Sequence, residues 1–288
     1  MSAFLGRSAV VVRRRLRGHA SGRGVTVALV DTGLDADHAR IKSRILEAVD
    51  VTGKTFTPDL HGTLLAGIIA AEASDDSGSG GIAPGAQLLA VKACHPDAPR
   101  AMEAQCWSLA LAKGMDLAIQ KGARVINLAI AGPKDRLLPR LVDVAVSRGS
   151  FVVAAAGNDG PAGLPAFPAA LDNVAAATAV DAHERLYPRA TRGSFVDLSA
   201  PGVEILSTAP GGKYLVSSGT SLAAAHVAGA AALLLELWPR LTPFELQSLL
   251  EETAKDLGLP GKDPLFGSGL VDVCRAAAKL NSGATLCR

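Results

Sequence analysis

From Gly24 onward the chain alternates short runs of apolar and β-branched residues with longer, alanine-rich runs of helical length. That alternation predicts an α/β fold, a mainly parallel sheet with helices on both faces. Strands are expected at 25–31, 87–92, 125–130, 151–156 and 173–180. Helices are expected at 62–72, 107–121, 137–148, 221–238 and 243–253. Near-continuous apolar strands such as VTVALV and FVVAAA offer water no polar face, so they belong inside and are covered on both sides. Thr242, Pro243 and Glu245 spell a helix start, with an N-cap hydroxyl, a proline at the first position and a glutamate three residues after the cap. The stretch 215–235 is uncharged, but Ser217, Ser218, Thr220, Ser221 and His226 interrupt it, so no membrane span is expected there.

Composition narrows the picture. Charged residues make up 19% of the 288 and apolar residues 49%, which excludes disorder for the bulk of the chain. The length allows one large domain or two small ones, and no repeat or linker divides the core. The net charge of +2 hides an asymmetry, because six arginines (Arg7, Arg13, Arg14, Arg15, Arg17 and Arg23) precede the first acidic residue, Asp31. Without them the balance is 23 basic to 27 acidic residues, a net charge of −4. Residues 1–23 therefore read as a basic arm or leader remnant on a mildly acidic body, 24–288. Such an arm can touch nucleic acid or an anionic surface, but a solvated leader is the reading adopted, with no nucleic-acid partner.

A secretory signal places its arginines before an apolar stretch, and here the order is reversed. The expected address is cytoplasmic if the chain is complete and secreted if it is an excised domain. Cys94, Cys106, Cys274 and Cys287 fall at two short spacings that suit two local disulfides, although four cysteines permit three pairings and also free thiols.

The chemistry gathers where an open α/β sheet places its ligands, at strand carboxyl ends and helix starts. Asp31 ends the first strand, His61 opens the segment HGTLLAG, and Ser221 lies in GTSLAAAHVAG, where a polar stretch becomes a small-residue helix. Each alone reads as a turn or capping group. Together, in the order Asp, His, Ser, they match one of the chain orders of a hydrolytic triad. A serine hydroxyl is a poor nucleophile until an imidazole takes its proton, and the imidazole needs a carboxylate to fix its tautomer. Asn158, in AAAGNDG, supplies an amide suited to the oxyanion of acyl transfer. His226 falls about 140° round the helix from Ser221 and reads as a packed core histidine. His19, His38, His95 and His183 show no zinc-ligand spacing, so no metal site is assigned.

At this point the sequence resembles the subtilisin-like serine peptidases, the subtilase family. The stretches that carry the resemblance are VALVDTGLDADH, HGTLLAG, GIAPGAQLLAVK, VINLAI, AAAGNDG, FPA with DNVAAATAVD, and GTSLAAAHVAGAAALLL, in family order over about residues 24–273. The resemblance implies a three-layer fold and an endopeptidase that acts on peptide or protein substrates as a monomer. It implies that Ala129, Ile130, Ala131 and Gly132 pair with an extended substrate. Ala155, Ala156, Gly157, Ala166 and Phe167 would line the main specificity pocket, whose small residues suit a hydrophobic side chain before the scissile bond. It also implies an inhibitory prosegment as a possible partner.

The departures carry information. Leu64 and Leu65 replace the usual His-Val, Ala129 and Ala131 the usual Ser and Gly, and Ala225 the usual Pro. Leu222 follows the nucleophile where the family commonly has Met. Asp75 and Asp76 in the loop 74–81 could serve a cation, yet Arg40 stands where tight calcium binders of the family often carry a carboxylate. No cofactor is required by this reading, and calcium is unsupported at the usual place. The alternative function is a catalytically silent scaffold of the same fold, its cleft closed by Ala129, Ala131 or the arm.

Overall fold

The computed structural model describes residues 20–73, 80–96 and 104–281. Its frame is a seven-stranded parallel sheet in the order β2-β3-β1-β6-β7-β8-β9. The strands are β1 (Thr26–Asp31), β2 (Ile45–Asp50), β3 (Gln87–Lys92), β6 (Val125–Leu128), β7 (Phe151–Ala155), β8 (Ala175–Val180) and β9 (Leu198–Pro201). Two hairpins, β4 (Cys94–Pro96) with β5 (Ala104–Cys106) and β10 (Ile205–Ala209) with β11 (Lys213–Ser217), lie outside it.

The helices form the outer layers. On one face lie α1 (Leu60–Ala70), α4 (Thr220–Leu237), α5 (Pro243–Thr253) and α6 (Val273–Leu280), packed with Val27, Leu29, Val125 and Val153. On the other lie α2 (Ser108–Gln120) and α3 (Leu138–Ser147), packed with Ala28, Val30, Ile126 and Val152. Alternate strand residues thus feed opposite cores, as a two-faced strand requires. The α4 helix is long and apolar enough to cross a membrane, but 89% of it is buried inside the fold. Its alanines and glycine let it run against the sheet with little side chain between.

The five expected strands and five expected helices are present, 87–92 and 243–253 with the expected ends and the others with shifted ends. The strand after Val125 stops at Leu128 because the Ile130 N–H turns back onto the Leu128 carbonyl at 2.7 Å. Helix α1 starts two residues early because Asp59 caps it, accepting the His61 N–H at 3.1 Å. Thr242 and Glu245 form the capping box of α5. Cys94 and Cys106 are joined across the β4–β5 hairpin, and Cys274 is also disulfide-bonded. Most of the basic arm, Asp75, Asp76 and Cys287 lie outside the described residues.

Candidate active site

Strand β1 delivers Asp31 to the carboxyl edge of the sheet, and α1, which comes after β2, packs against the turn that follows β1. That approach requires glycine twice. Gly33 has φ +100°, and a Cβ on Gly62 would stand 2.0 Å from the Gly33 carbonyl oxygen. His61, the second residue of α1, is thereby brought beside Asp31.

Asp31 Oδ1 collects three donors. His61 Nδ1–H lies at 2.8 Å, the Thr32 backbone N–H at 2.8 Å and the Thr32 hydroxyl at 3.0 Å. The other oxygen, Oδ2, is buried and has no partner among the described residues. Behind them Asp59 takes the His61 N–H and lies within reach of the Thr32 hydroxyl. Burial alone pushes an imidazole's pKa down, but the charge and hydrogen bond of Asp31, helped by the charge of Asp59, outweigh it. The pKa of His61 is raised above its ordinary 6.5.

Ser221 comes from the far side of the sheet order, as the second residue of α4. Its backbone N–H belongs to the first helical turn, whose donors have no partner within the helix. Thr220 ties this helix start to the loop after β7. Its N–H and hydroxyl both lie 3.1 Å from Asn158 Oδ1, and its Oγ1 accepts the Gly157 N–H at 3.1 Å. With Oδ1 so engaged, Asn158 keeps Nδ2 to offer. A Cβ built on Gly219 would stand 3.5 Å from Ser221 Oγ and 3.6 Å from Asn158 Nδ2, so the hydroxyl and the amide border one small space.

Asp31, His61, Asn158 and Ser221 all line one open cleft of about 240 Å³. Of the residues expected to bind substrate, Ala129, Ile130, Ala131 and Ala155 line the same cleft. The remaining five stand behind or beside it. Ala156 is fully buried and bonded to the Ala177 carbonyl at 3.0 Å. A Cβ on Gly157 would lie 3.2 Å from Ala166. Gly132 and Phe167 pair through two backbone hydrogen bonds of 2.9 Å, with the Lys134 ammonium over the Phe167 ring.

Sequence reasoning missed Thr32, Tyr187, Arg189, Ser218 and Thr220, which also line the cleft. Thr220 was legible in principle, being the middle of Gly-Thr-Ser. Tyr187 and Arg189 were not, since their segment carries no motif and reaches the site only by docking on the Asn158 loop, Gly160 N–H on Arg189 O and Thr191 N–H on Gly157 O, both 2.9 Å. Among the described residues no cluster of three or more His, Cys, Asp or Glu suits a metal ion. Around Arg40 the charges that meet Glu72 are two guanidinium groups, its own and that of Arg44, a poor donor set for calcium.

The model of the Subtilase family matches residues 22–269. Subtilisin DY from Bacillus licheniformis is 36% identical over 262 residues, 89% of this chain and 92% of that protein. Subtilisin E from Bacillus subtilis is 37% identical over 270 residues, covering 89% of this chain but 66% of the longer relative. Among solved structures, a lanthipeptide protease superposes with a TM-score of 0.80 at 26% identity, over 96% of both chains. The chain belongs to the subtilase family and is a subtilisin-like serine endopeptidase.

Proposed function

We propose that the chain, with 24–288 as its peptidase domain, cleaves peptide bonds through an acyl-enzyme formed on Ser221. The observation that carries this reading is the 2.8 Å bond from His61 Nδ1 to Asp31 Oδ1 on the wall of the cleft that also holds Ser221. A carboxylate only accepts, so the Nδ1 proton is committed to Asp31 and Nε2 is left as the base.

His61 takes the Ser221 hydroxyl proton as Oγ attacks the scissile carbonyl. The carbonyl oxygen becomes negative and receives Asn158 Nδ2–H and the Ser221 backbone N–H. His61 then gives its proton to the departing amine, and the peptide C–N bond breaks. Water repeats the cycle, losing a proton to His61, adding its oxygen to the acyl carbon and releasing Ser221 with its proton restored. Asp31 stays ionised and stabilises the imidazolium at each stage.

The small side chains of Ala129, Ala131 and Ala155 on the cleft wall support a preference for a hydrophobic residue before the scissile bond. The test is labelling with a fluorophosphonate probe, with the modified peptide mapped by mass spectrometry. Labelling at Ser221 that disappears in Ser221→Ala and His61→Ala is expected, and a peptide library should then show apolar enrichment before the cleaved bond. A folded protein that takes no label, or a library dominated by charged residues at that position, overturns the corresponding part of the reading.

A further inference from the structure

Lys92 ends β3, and the register of the sheet sets it between two aspartates, Asp31 on β1 and Asp50 on β2. A lysine at a strand end ordinarily runs its ammonium out to water. This one is only 3% exposed. Nζ donates instead to two backbone carbonyls, those of Thr32 and Cys94, the second at 3.2 Å. Among the described residues it makes no ion pair. Burying an ammonium against neutral acceptors is costly, so a fold that keeps one there needs what it holds.

What it holds is the peptide behind the triad carboxylate. Thr32, whose carbonyl Lys92 grips, supplies through its N–H and hydroxyl two of the three donors on Asp31 Oδ1. A Cβ on the next residue, Gly33, would touch the Lys92 Cδ at 3.4 Å. The other anchor, Cys94, is fully buried and disulfide-bonded to Cys106. We propose that Lys92 is a positioning residue for peptide hydrolysis, clamping the Asp31–Thr32–Gly33 turn and balancing the carboxylates behind it so that Asp31 meets His61 in register.

The charged and titratable groups that face Lys92 are Asp31, Asp50, Asp59, Lys54 and His95, whose pKa is lowered, chiefly by burial; those that face His61 are Asp31 and Asp59. Burial lowers the Lys92 pKa while the three aspartates oppose that shift. Removing the cation leaves the field of Asp31 on His61 uncompensated, which favours the imidazolium.

The inference rests on the triad reading, and the test separates the two. In a Lys92→Met protein that melts cooperatively, kcat should fall about tenfold with KM within about twofold, and the acidic limb of kcat/KM should move up by about half a pH unit. Lys92→Arg, which keeps the charge, should restore the limb. A folded Lys92→Met protein with unchanged kcat and pH profile overturns the proposal, whereas the triad reading fails only if activity survives Ser221→Ala or His61→Ala. Should Lys92→Met not fold, the Lys92 ammonium is followed by ¹⁵N NMR in the Ser221→Ala protein. An inflection at the pH where His61 titrates is expected, and its absence is the overturning result.

Discussion

His61 and His226 are both buried, each 6% exposed, and each holds Nδ1 2.8 Å from an oxygen. Their proton affinities nevertheless move in opposite directions. His226 sits inside α4 with the Leu222 backbone carbonyl as partner, and burial wins, taking its pKa down to about 4. His61 has a carboxylate for a partner and a second carboxylate behind it, and its pKa rises. Equal burial and equal hydrogen-bond length therefore say little about a histidine's role. The charge of the acceptor decides it.

The largest effect that could break this comparison is on turnover. His61→Ala should lower kcat by about a millionfold, the size known for the corresponding change in subtilisin, a relative of this chain. His226→Met should leave kcat within about threefold, because it removes a group that stays neutral at working pH and touches no reacting atom. Comparable losses in the two purified, folded variants would end the distinction. In the proposed mechanism His61 must be neutral to accept the serine proton, so the acidic limb of kcat/KM should fall above pH 6.5.

A smaller effect is on stability, measured in the inactive Ser221→Ala protein so that self-digestion does not intrude. The folded-state pKa of His226 is depressed, so the unfolded chain takes up the proton first. Its contribution is present above pH 6.5 and is lost as pH falls toward 4, on the order of 3 kcal/mol in all. His61 runs the other way, contributing stability that is complete below pH 6.5 and is lost as pH rises through its raised folded value. Denaturant unfolding at pH 7 and pH 4.5 should therefore show a steeper acid loss for the parent than for the same protein carrying His226→Met. Equal slopes would mean that His226 is not held neutral.

The legibility of the molecule follows the same division between what a residue is and what it meets. Strands β1, β3, β6, β7 and β8 were readable because burial on both faces demands uninterrupted apolar runs. Strand β2, at the sheet edge, buries less and carries Glu47 and Asp50, so its ILEAVD did not read as a strand. The short β9, LSAP, ends in proline, and the β11 side chains are mostly exposed, which removes the burial signal. The α6 helix is short, VCRAAAKL, and its signs were the cap Asp272 and Lys279 in its last turn.

In the site, Asp31, His61, Ser221 and Asn158 stand in local motifs. Lys92 closes the stretch GIAPGAQLLAVK and Asp59 lies two residues before His61, but neither reads as a site residue there. Lys92 is an ordinary strand lysine until the register of β3 against β1 sets it under the turn after Asp31, and register between segments 60 residues apart in sequence leaves no local signature, while Asp59 reads only as the cap of α1.

The smallest expected effect links the two histidines through one residue. Leu222 follows Ser221 on α4, and its carbonyl is the acceptor for His226. It is fully buried, so whatever occupies the position is packed beside Ser221, the proposed nucleophile. A thioether there would gain a polar oxygen on oxidation, in a space without room or partners for it. Leucine has nothing to oxidise. Of the chain's three methionines, Met115 packs on the opposite face of the sheet in α2, and Met1 and Met102 lie outside the described residues. Mild peroxide should therefore cost the wild-type enzyme less than about a quarter of its activity, while Leu222→Met becomes sensitive under the same treatment. Rapid inactivation of the wild type would place an oxidisable group against the nucleophile that this packing does not contain. Sensitivity confined to Leu222→Met would mark the Ser221 side of α4 as the place where a single oxygen atom matters.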